Sequence, residues 1–310
     1  MINFFYQLIR TARPRQWLKN FALVAPAVIM GNILDIPTIY KLINGFISFC
    51  LISSAAYFVN DIIDAPKDFL HPIKKNRPIP SGKLKIWVAW LISIILMTSS
   101  IAYSLKNGGT FFTALIIIYI IIQFIYSLFF RNVIILDSLT VASGFVIRVI
   151  AGAVITSISV SSWLILTTIA LSLLLAFGKR RSEKTLLSES QTEAETRKTL
   201  KHYPDTLLDS MITMSATFCI VSYSLFTFQV SPDLAVSSIR RYLPSVIDSP
   251  KWLMFTIPLV IYGVARYLYI IYEKKQGESP ERVLLSDYPL LITVLIWGLL
   301  VFLHNLFIIN

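Results

Sequence analysis

The chain has 310 residues, of which 55% are hydrophobic and only 15% are charged, and its mean hydropathy is +0.69. This composition excludes an ordinary soluble enzyme, because apolar runs close to the roughly 20 residues needed to cross a bilayer recur along the sequence. The net charge of +11 is first a topology signal, since most of the 28 lysines and arginines fall in loops on one side of the predicted spans. We expect no nucleic-acid partner, because its recognition needs a basic patch on a folded face.

The apolar runs predict an all-α integral membrane protein whose nine transmembrane helices form a bundle around a central cavity. By the positive-inside rule the N-terminus is cytoplasmic. We expect a multi-pass protein of the cell (inner or cytoplasmic) membrane, without a cleaved signal peptide. Residues 1–310 are expected to form one domain with long cytoplasmic loops at 64–85 and 179–206, and an oligomer is left open. The predicted spans cover about 18–36, 42–63, 86–105, 110–130, 133–157, 161–178, 207–230, 252–273 and 288–309.

Residues 13–20, RPRQWLKN, combine basic groups with a tryptophan where the first apolar segment begins. Trp17 alone is explained as an anchor at the membrane interface. Lys19 lies just inside the segment, where an unpaired ammonium group is costly. We therefore predict that Lys19 contacts a phosphate.

An acidic run ends the second apolar segment. Asp61, Asp64 and Asp68 are spaced three and four residues apart, so on a helix they share one face and are expected to converge on one point. Carboxylates that close repel one another unless a cation lies between them. Mg²⁺ prefers hard oxygen ligands of this kind together with substrate phosphates, and Asn60 can add an amide oxygen. We assign these four residues as catalytic and metal-binding; the alternative is a solvated acidic helix end paired with lysines.

A proline-rich basic loop, HPIKKNRPIPSG at 71–82, follows the acidic run directly. Lys and Arg on a loop fixed by proline can clamp phosphate oxygens, Arg through its bidentate fork and Lys as a point charge. We predict this role for Lys74, Lys75 and Arg77. The alternative is a loop whose charge serves only membrane topology.

Further candidates lie in the next two spans. Tyr126 and Arg131 end the fourth span, and Asp137 begins the fifth. Arg148 follows Asp137 on the same helix face, about 16 Å deeper at 1.5 Å per residue. An ionisable residue at that depth is a functional candidate by default, although a structural ion pair within the bundle explains it equally well.

The later spans add two basic features. Lys179, Arg180 and Arg181 end the sixth span and are predicted to bind phosphate opposite the aspartates; the alternative is a cluster that only sets topology. Arg266 lies between two tyrosines in the eighth span and is predicted to bind substrate; the alternative is aromatic stacking, which explains it without substrate. Two cysteines within apolar spans and three scattered histidines support neither thiol nor zinc chemistry.

Several of these motifs resemble those of a known family. The pattern NDxxDxxxD at 60–68, on the second span, resembles the first aspartate motif of the UbiA superfamily of intramembrane prenyltransferases. The patterns RPRQWxKN at 13–20 and HPxKxxRPIxxG at 71–82 are similar to one branch, the decaprenyl-phosphate phosphoribosyltransferases. The similarity continues through RxxAG at 148–152, GKRRxE at 178–183 and GxxRY at 263–267, so it covers nearly the whole chain.

The resemblance implies Mg²⁺ as cofactor, phosphoribosyl pyrophosphate as donor and a polyprenyl (decaprenyl-type) phosphate as acceptor. Ordinary members of the superfamily carry a second aspartate motif where this chain has Lys179 to Arg181, and this departure favours the phosphoribosyl donor. Two alternatives stay open. One is a UbiA-type prenyltransferase that moves an isoprenoid to an aromatic or tetrapyrrole acceptor, and the other is a membrane transporter.

Overall fold

The computed structural model describes residues 2–70, 74–189, 203–230, 251–274 and 280–309, and all regular elements within them are helices. Within these residues, seven helical stretches are long and apolar enough to cross a membrane. Packing rather than helix propensity stabilises them, since each buries one face against its neighbours. The α-helices are α1 (Ile2–Ala12), α2 (Ala25–Ile29), α3 (Ile36–Leu70), α4 (Ile86–Leu128), α5 (Leu136–Thr156), α6 (Ser162–Glu189), α7 (Asp205–Val230), α8 (Ile257–Tyr272), α9 (Pro280–Ser286) and α10 (Tyr288–Ile309).

The helix α4 is a hairpin. Gly109 interrupts it with φ 77° and ψ −178°, a conformation that glycine adopts at little cost. The first arm runs antiparallel to α3 and the second runs back parallel to it, as the predicted spans 86–105 and 110–130 require. Both ends of α4 therefore lie beside the aspartate end of α3. The supporting hydrogen bonds are Ser93 Oγ to Ala55 O and Tyr103 OH to Asn44 Oδ1 before the break, and Ser127 Oγ to Asn60 Oδ1 after it.

The first predicted span, at 18–36, is not one continuous helix. A 3₁₀ helix (Pro14–Val24) leads into the short α2, and a second 3₁₀ turn (Asn32–Leu34) follows. Pro26 and the polar residues of this segment limit regular α-helical hydrogen bonding. The count of nine crossings and the central cavity therefore stay predictions.

Both long loops are shorter than predicted. The helix α3 continues past residue 64 through Pro66 to Leu70, because a proline close to a helix end removes only one hydrogen bond near the last turn. The helix α6 continues past residue 179 to Glu189. As a result, the three aspartates and the Lys179–Arg181 cluster lie on helices. Residues 71–73 and 190–202, which belong to the predicted loops, are outside the described residues.

Two large apolar clusters hold the bundle together. One joins α3, α4 and α5 around Phe49, Phe112 and Ile116, and the other joins α6, α7 and α8 around Leu174 and Leu208. A smaller cluster packs α1 and the start of α4 against the aspartate end of α3. This small cluster fixes the helix ends from which the polar site is built.

Candidate active site

Asp61 is held by two arginines from outside its helix. Arg13 Nη2 donates to Asp61 Oδ1 at 2.5 Å, and Arg77 Nη1 lies 3.3 Å from the same oxygen. Only 3% of the Asp61 side chain is exposed. A carboxylate so buried needs compensating charge, and the two guanidinium groups supply it.

Asp64 and Asp68 each have their own guanidinium partner. Arg131, on the 3₁₀ turn after α4, places Nη1 at 2.5 Å and 2.6 Å from the two carboxylate oxygens of Asp64. Arg77 Nη1 lies 2.5 Å from Asp68 Oδ2. Arg77 therefore bridges Asp61 and Asp68, whereas Asp64 turns to Arg131.

The prediction that the three carboxylates converge on one point is wrong for this structure. Among the residues that the structure describes, no group of three His, Cys, Asp or Glu side chains is arranged to hold a metal ion. Like charges repel, and each carboxylate is better stabilised by a guanidinium than by another carboxylate. The donor set still fits Mg²⁺ by its chemistry, since three carboxylates and the Asn60 amide oxygen are hard ligands on one helix end. That amide oxygen accepts a hydrogen bond from Ser127 Oγ at 2.8 Å.

Asp137 and Arg180, both predicted to bind substrate, form a buried ion pair. Arg180 Nε lies 2.6 Å from Asp137 Oδ2, and 2% of each side chain is exposed. Arg180 Nη1 also lies 2.6 Å from Glu183 Oε2, and Nη2 donates to the Tyr126 hydroxyl at 3.4 Å. The structure thus brings together Tyr126, Asp137 and Arg180, and it adds Glu183.

Tyr203 completes this network, although no motif pointed to it. Its hydroxyl donates to Asp137 Oδ1 at 2.6 Å and accepts the backbone N–H of Ile135 at 2.6 Å. Ile135 has φ 70°, which is rare for a β-branched residue. Burial, together with the hydrogen bond to Asp137, raises the pKa of Tyr203 to about 12. The hydroxyl therefore stays a donor at neutral pH and holds the loop that joins Arg131 to Asp137.

The predicted lysines are half-buried or exposed. Lys74 and Lys75 occupy the 3₁₀ turn just before Arg77, and Lys75 is exposed. Lys19 lies half-buried next to Asn20, and Lys179 Nζ is 3.7 Å from Glu183 Oε1. Phosphate binding by these lysines stays a prediction.

Arg181 and Arg266 pair with other carboxylates. Arg181 Nε lies 2.8 Å from Asp209 Oδ1. Arg266 makes a bidentate contact with Asp287 at 3.0 Å for each bond, and this guanidinium holds the pKa of the Asp287 carboxyl well below its usual range. Asp287 also caps α10 by accepting the Leu290 N–H at 3.1 Å. These contacts account for Arg266 without a substrate.

Arg148 is buried in the bundle interior, with 5% exposed. Its nitrogens donate to the Asn20 amide oxygen at 2.8 Å, the Gly144 carbonyl at 2.7 Å and the Tyr119 hydroxyl at 2.9 Å. The guanidinium also lies over the Tyr119 ring. Within the described part of the chain these partners are neutral, so the ion-pair alternative for Arg148 is replaced by hydrogen bonds to its own helix, to α4 and to the 3₁₀ helix at 14–24.

Arg13 is a site residue that the sequence did not reveal as such. It belongs to the basic run at 13–20, but its contact with Asp61 spans 48 residues. Its backbone has φ 54° and ψ 62°, the left-handed region that few non-glycine residues adopt. This turn redirects the chain from α1 into the 3₁₀ helix and brings the guanidinium onto α3.

Residues 21–180 match the UbiA prenyltransferase family. The chain is similar to the decaprenyl-phosphate phosphoribosyltransferase of Corynebacterium glutamicum, at 32% identity over 293 residues that cover 94% of this chain and 84% of the relative. It is also similar to the decaprenyl-phosphate phosphoribosyltransferase of Mycolicibacterium smegmatis, at 34% identity over 294 residues, with 94% of this chain and 89% of the relative covered.

Solved structures share the fold. A UbiA homolog from Archaeoglobus fulgidus bound to DMAPP and Mg²⁺ superposes with a TM-score of 0.66 at 18% identity, covering 97% of this chain and 98% of that one. A structure of digeranylgeranylglyceryl phosphate synthase gives a TM-score of 0.66 at 17% identity, covering 98% and 99%. With over half of its length matched to the family and its relatives matched over most of theirs, this chain belongs to the UbiA prenyltransferase family.

Proposed function

We propose that this protein transfers the 5-phosphoribosyl group of phosphoribosyl pyrophosphate to a polyprenyl phosphate and releases diphosphate, in a Mg²⁺-dependent reaction. The observation that carries the proposal is the interleaving of Asp61, Asp64 and Asp68 with Arg13, Arg77 and Arg131 at one end of the bundle. The names of the relatives that match nearly the whole chain support the same reaction. We take residues 1–310 as one UbiA-like domain.

Asp61, Asp64, Asp68 and Asn60 are the residues that would hold Mg²⁺. The bound ion would neutralise charge on the diphosphate as it leaves. Two structures of the UbiA homolog from Archaeoglobus fulgidus, bound to GPP and to DMAPP, contain Mg²⁺, and this supports the assignment by analogy. Each aspartate is paired with an arginine. Once Mg²⁺ neutralises the carboxylates instead, these arginines can pair with phosphate oxygens.

Bond making and breaking at the ribosyl C1 need little proton transfer. An oxygen of the lipid phosphate forms the new bond to C1, and the bond from C1 to the diphosphate oxygen breaks. The nucleophile and the leaving group are both anionic already, so positioning and electrostatic stabilisation supply most of the rate. Arg77 and Arg131, together with Lys19, Lys74, Lys75 and Lys179, are the cations that would share the donor and acceptor phosphates.

The end of α6 favours a phosphoribosyl donor over a prenyl diphosphate. Asp205 and Asp209 lie near this end, but both are paired with basic residues. Lys184 Nζ is 2.9 Å from Asp205 Oδ1, and Arg181 Nε is 2.8 Å from Asp209 Oδ1. The basic run Lys179–Arg181 at this helix end suits a monophosphate ligand better than a second metal face. The alternative reaction is transfer of an isoprenoid from its diphosphate. The fold shared with the DMAPP-bound homolog supports this alternative.

We place the site on the cytoplasmic side of the cell membrane, where a soluble sugar phosphate reaches it. Lys74, Lys75 and Arg77 follow the aspartate end of α3 in the chain, and the positive-inside rule assigns such a basic segment to the cytoplasmic face. Whether the protein works as an oligomer does not affect this proposal.

The test supplies the purified protein with Mg²⁺, labelled phosphoribosyl pyrophosphate and a polyprenyl phosphate, and measures label in the lipid extract. We expect lipid-linked label that disappears with a chelator. We expect Asp61→Asn to reduce turnover by at least about 100-fold, a few kcal/mol of lost charge stabilisation. Asp35→Asn is the matched control, because Asp35 only caps α3 through Thr38 at the other end of the bundle. Near-normal turnover by Asp61→Asn contradicts the metal assignment, and turnover of a prenyl diphosphate instead supports the alternative reaction.

A further inference from the structure

The burial of Arg148 among neutral partners is costly. Only 5% of the residue is exposed, and its nitrogens donate to the Asn20 amide oxygen, the Gly144 carbonyl and the Tyr119 hydroxyl at 2.7–2.9 Å. Moving a guanidinium group out of water costs free energy that neutral partners offset only in part. Well-packed apolar side chains of similar volume often serve folding as well as buried charges do. The charge of Arg148 therefore needs an explanation other than the stability of the bundle.

Asn20, in the middle of the 3₁₀ helix Pro14–Val24, uses both ends of its amide. The residue is fully buried. Its oxygen accepts the hydrogen bond of Arg148 Nε at 2.8 Å, and its nitrogen donates to Cys50 Sγ at 3.4 Å. Because Arg148 belongs to α5 and Cys50 to α3, this single amide fastens the 3₁₀ helix to two helices of the bundle.

Asn20 also lies on a line of side chains that the 3₁₀ form creates. Trp17, Asn20 and Leu23 are three residues apart, and side chains at this spacing eclipse one another in a 3₁₀ helix. Trp17 Nε1 donates to Ser54 Oγ of α3 at 3.0 Å. Leu23 is fully buried, and its backbone carbonyl lies against Gly152 of α5. In an α-helix, with 3.6 residues per turn, these three side chains would spread over about 120° and could not all keep their contacts.

The 3₁₀ form depends on such fastening. A 3₁₀ helix longer than three or four residues is uncommon because its hydrogen bonds have poorer geometry, and this one has 11 residues. It rises about 2.0 Å per residue against about 1.5 Å in an α-helix, so conversion would shorten the segment by about 5 Å. The segment follows Arg13 directly and carries Lys19. Its length and rotation therefore determine where both cations lie relative to the aspartates.

We propose that Arg148 and Asn20 are a positioning pair for the reaction. Their hydrogen bond selects the 3₁₀ form of residues 14–24, and this form sets the rotation of Lys19 and the reach of Arg13. The charge has a specific use here, because a charged donor makes a hydrogen bond about twice as strong as a neutral donor does. That strength offsets the poorer hydrogen bonding of the 3₁₀ helix. The proposal rests on the function proposed above and extends it to two residues that do not touch a substrate.

The kinetic test compares Asn20→Leu, which removes the acceptor, with Asn20→Asp, which keeps it and adds a charge opposite to that of Arg148. In Asn20→Leu we expect kcat/KM for phosphoribosyl pyrophosphate to fall by at least about tenfold, because a small misplacement of binding groups is enough for such a loss. In Asn20→Asp it should stay within about threefold of the wild-type value, since the charged hydrogen bond is kept. Equal losses in the two variants overturn the proposal.

Asn44→Leu is the matched control for a loss of stability. Asn44 is also a buried helical asparagine, with 4% exposed, but its amide bonds the Tyr40 carbonyl and the Tyr103 hydroxyl. The control should lower the unfolding temperature and leave kcat/KM unchanged. An equal kinetic loss in Asn44→Leu and Asn20→Leu overturns the proposal. If Asn20→Leu does not fold, Asn20→Ser takes its place.

A double-mutant cycle separates a pair from two independent defects. Arg148→Gln keeps a hydrogen-bond donor but loses the charge and the reach of the guanidinium. Arg148→Gln, Asn20→Leu and the double variant should show similar losses of kcat/KM, because removing either partner breaks the same contact. Additive losses overturn the proposal.

Spin labels test the segment without turnover. Cysteines introduced at Arg15 and Leu34, both exposed, carry the labels, and the native cysteines are buried. In Asn20→Leu the distance between the labels should shorten by up to about 5 Å or its distribution should broaden, and in Asn44→Leu it should not change. An unchanged distribution in Asn20→Leu overturns the proposal. If the distance responds but the wild-type protein transfers no phosphoribosyl group, the selection of the 3₁₀ form stands and the proposed reaction fails.

Discussion

Guanidinium groups organise the polar end of this bundle, and each has a distinct geometry. Arg77 bridges Asp61 and Asp68, and Arg131 contacts both carboxylate oxygens of Asp64. Arg180 joins Asp137 to Glu183. Arginine suits this work because it stays charged and its planar fork matches a carboxylate or a phosphate. Replacing these arginines with lysine would keep the positive charge but lose the planar guanidinium group that matches a carboxylate or a phosphate.

Tyr203→Phe should weaken the site without disturbing its packing. The ring stays buried, but Ile135 loses the acceptor for its N–H and Asp137 loses a donor, at about 1–3 kcal/mol for each unsatisfied buried group. We expect the KM of phosphoribosyl pyrophosphate to rise, because Arg131 and Arg180 then lose their fixed loop. The measurement is steady-state kinetics beside thermal unfolding, with Tyr103→Phe as control, since Tyr103 donates to Asn44 away from the site. Equal KM values in both variants would contradict a positioning role.

The same hydroxyl predicts a pH response. The folded-state pKa of Tyr203, about 12, lies above the ordinary value near 10. Its contribution to stability is therefore complete below pH 10 and is lost as the pH rises through 12. The difference in unfolding temperature between wild type and Tyr203→Phe should be constant from pH 6 to about 9 and shrink above pH 10.

Asp287 responds to acid instead. Its pKa is depressed by the Arg266 hydrogen bonds, so its stabilising effect is present above the unfolded value near 3.9 and falls away as the pH drops below it. Asp287→Asn should lower the unfolding temperature at pH 7, by about 2–4 °C for each kcal/mol lost. Phosphoribosyl transfer should be unchanged, since Asp287 acts on α8 and α10. A large loss of turnover at unchanged stability would return Arg266 to the list of substrate contacts.

At the scale of helices, α5 and the broken first segment approach each other closely at Gly152. A Cβ on Gly152 would be 2.0 Å from the Leu23 carbonyl oxygen, which is backbone and cannot rotate away. Gly152→Ala should therefore displace the 3₁₀ helix and lower both stability and activity. Gly298→Ala in α10 is the control, because nothing lies within 4 Å of its Cβ position, and there alanine should be neutral or stabilising. The measurement is the unfolding temperature of both variants. Equal changes in that temperature would contradict the close contact.

Apolar length and helical spacing were enough to predict much of the architecture. They indicated the two arms of α4, the helix that carries Asp61, and the stripe that carries Asp137 and Arg148. They could not predict the 3₁₀ path at 14–24, because local hydrogen bonding and tertiary contacts choose between helix types there. Nor could they pair Arg13 with Asp61 or Arg131 with Asp64, since such pairs depend on the packing of distant segments.

At the scale of the molecule, charge asymmetry predicts orientation, and cysteine labelling tests it. Cys50 and Cys219 are both buried, so we expect little maleimide labelling of the native cysteines and can assign the labelling to the introduced ones. Ser81→Cys at the aspartate end should react with an impermeant maleimide only in inside-out vesicles. Thr110→Cys, beside the α4 reversal at the other end, should react only in whole cells or right-side-out vesicles. The opposite pattern would place the site outside the cell and exclude a cytoplasmic sugar phosphate as donor.

If Mg²⁺ and the diphosphate donor bind as proposed, the pairing of Asp61, Asp64 and Asp68 with arginines also links the affinities of the two ligands. A metal ion that arrives alone must displace guanidinium groups and leave them uncompensated, and a diphosphate that arrives alone meets arginines already neutralised by carboxylates. When both arrive, the partners are exchanged and the local charge stays balanced. Each ligand should therefore raise the equilibrium affinity of the other by the same factor, as reciprocity requires. On this scheme the ion pairs would disfavour binding of either ligand alone and favour binding of the two together.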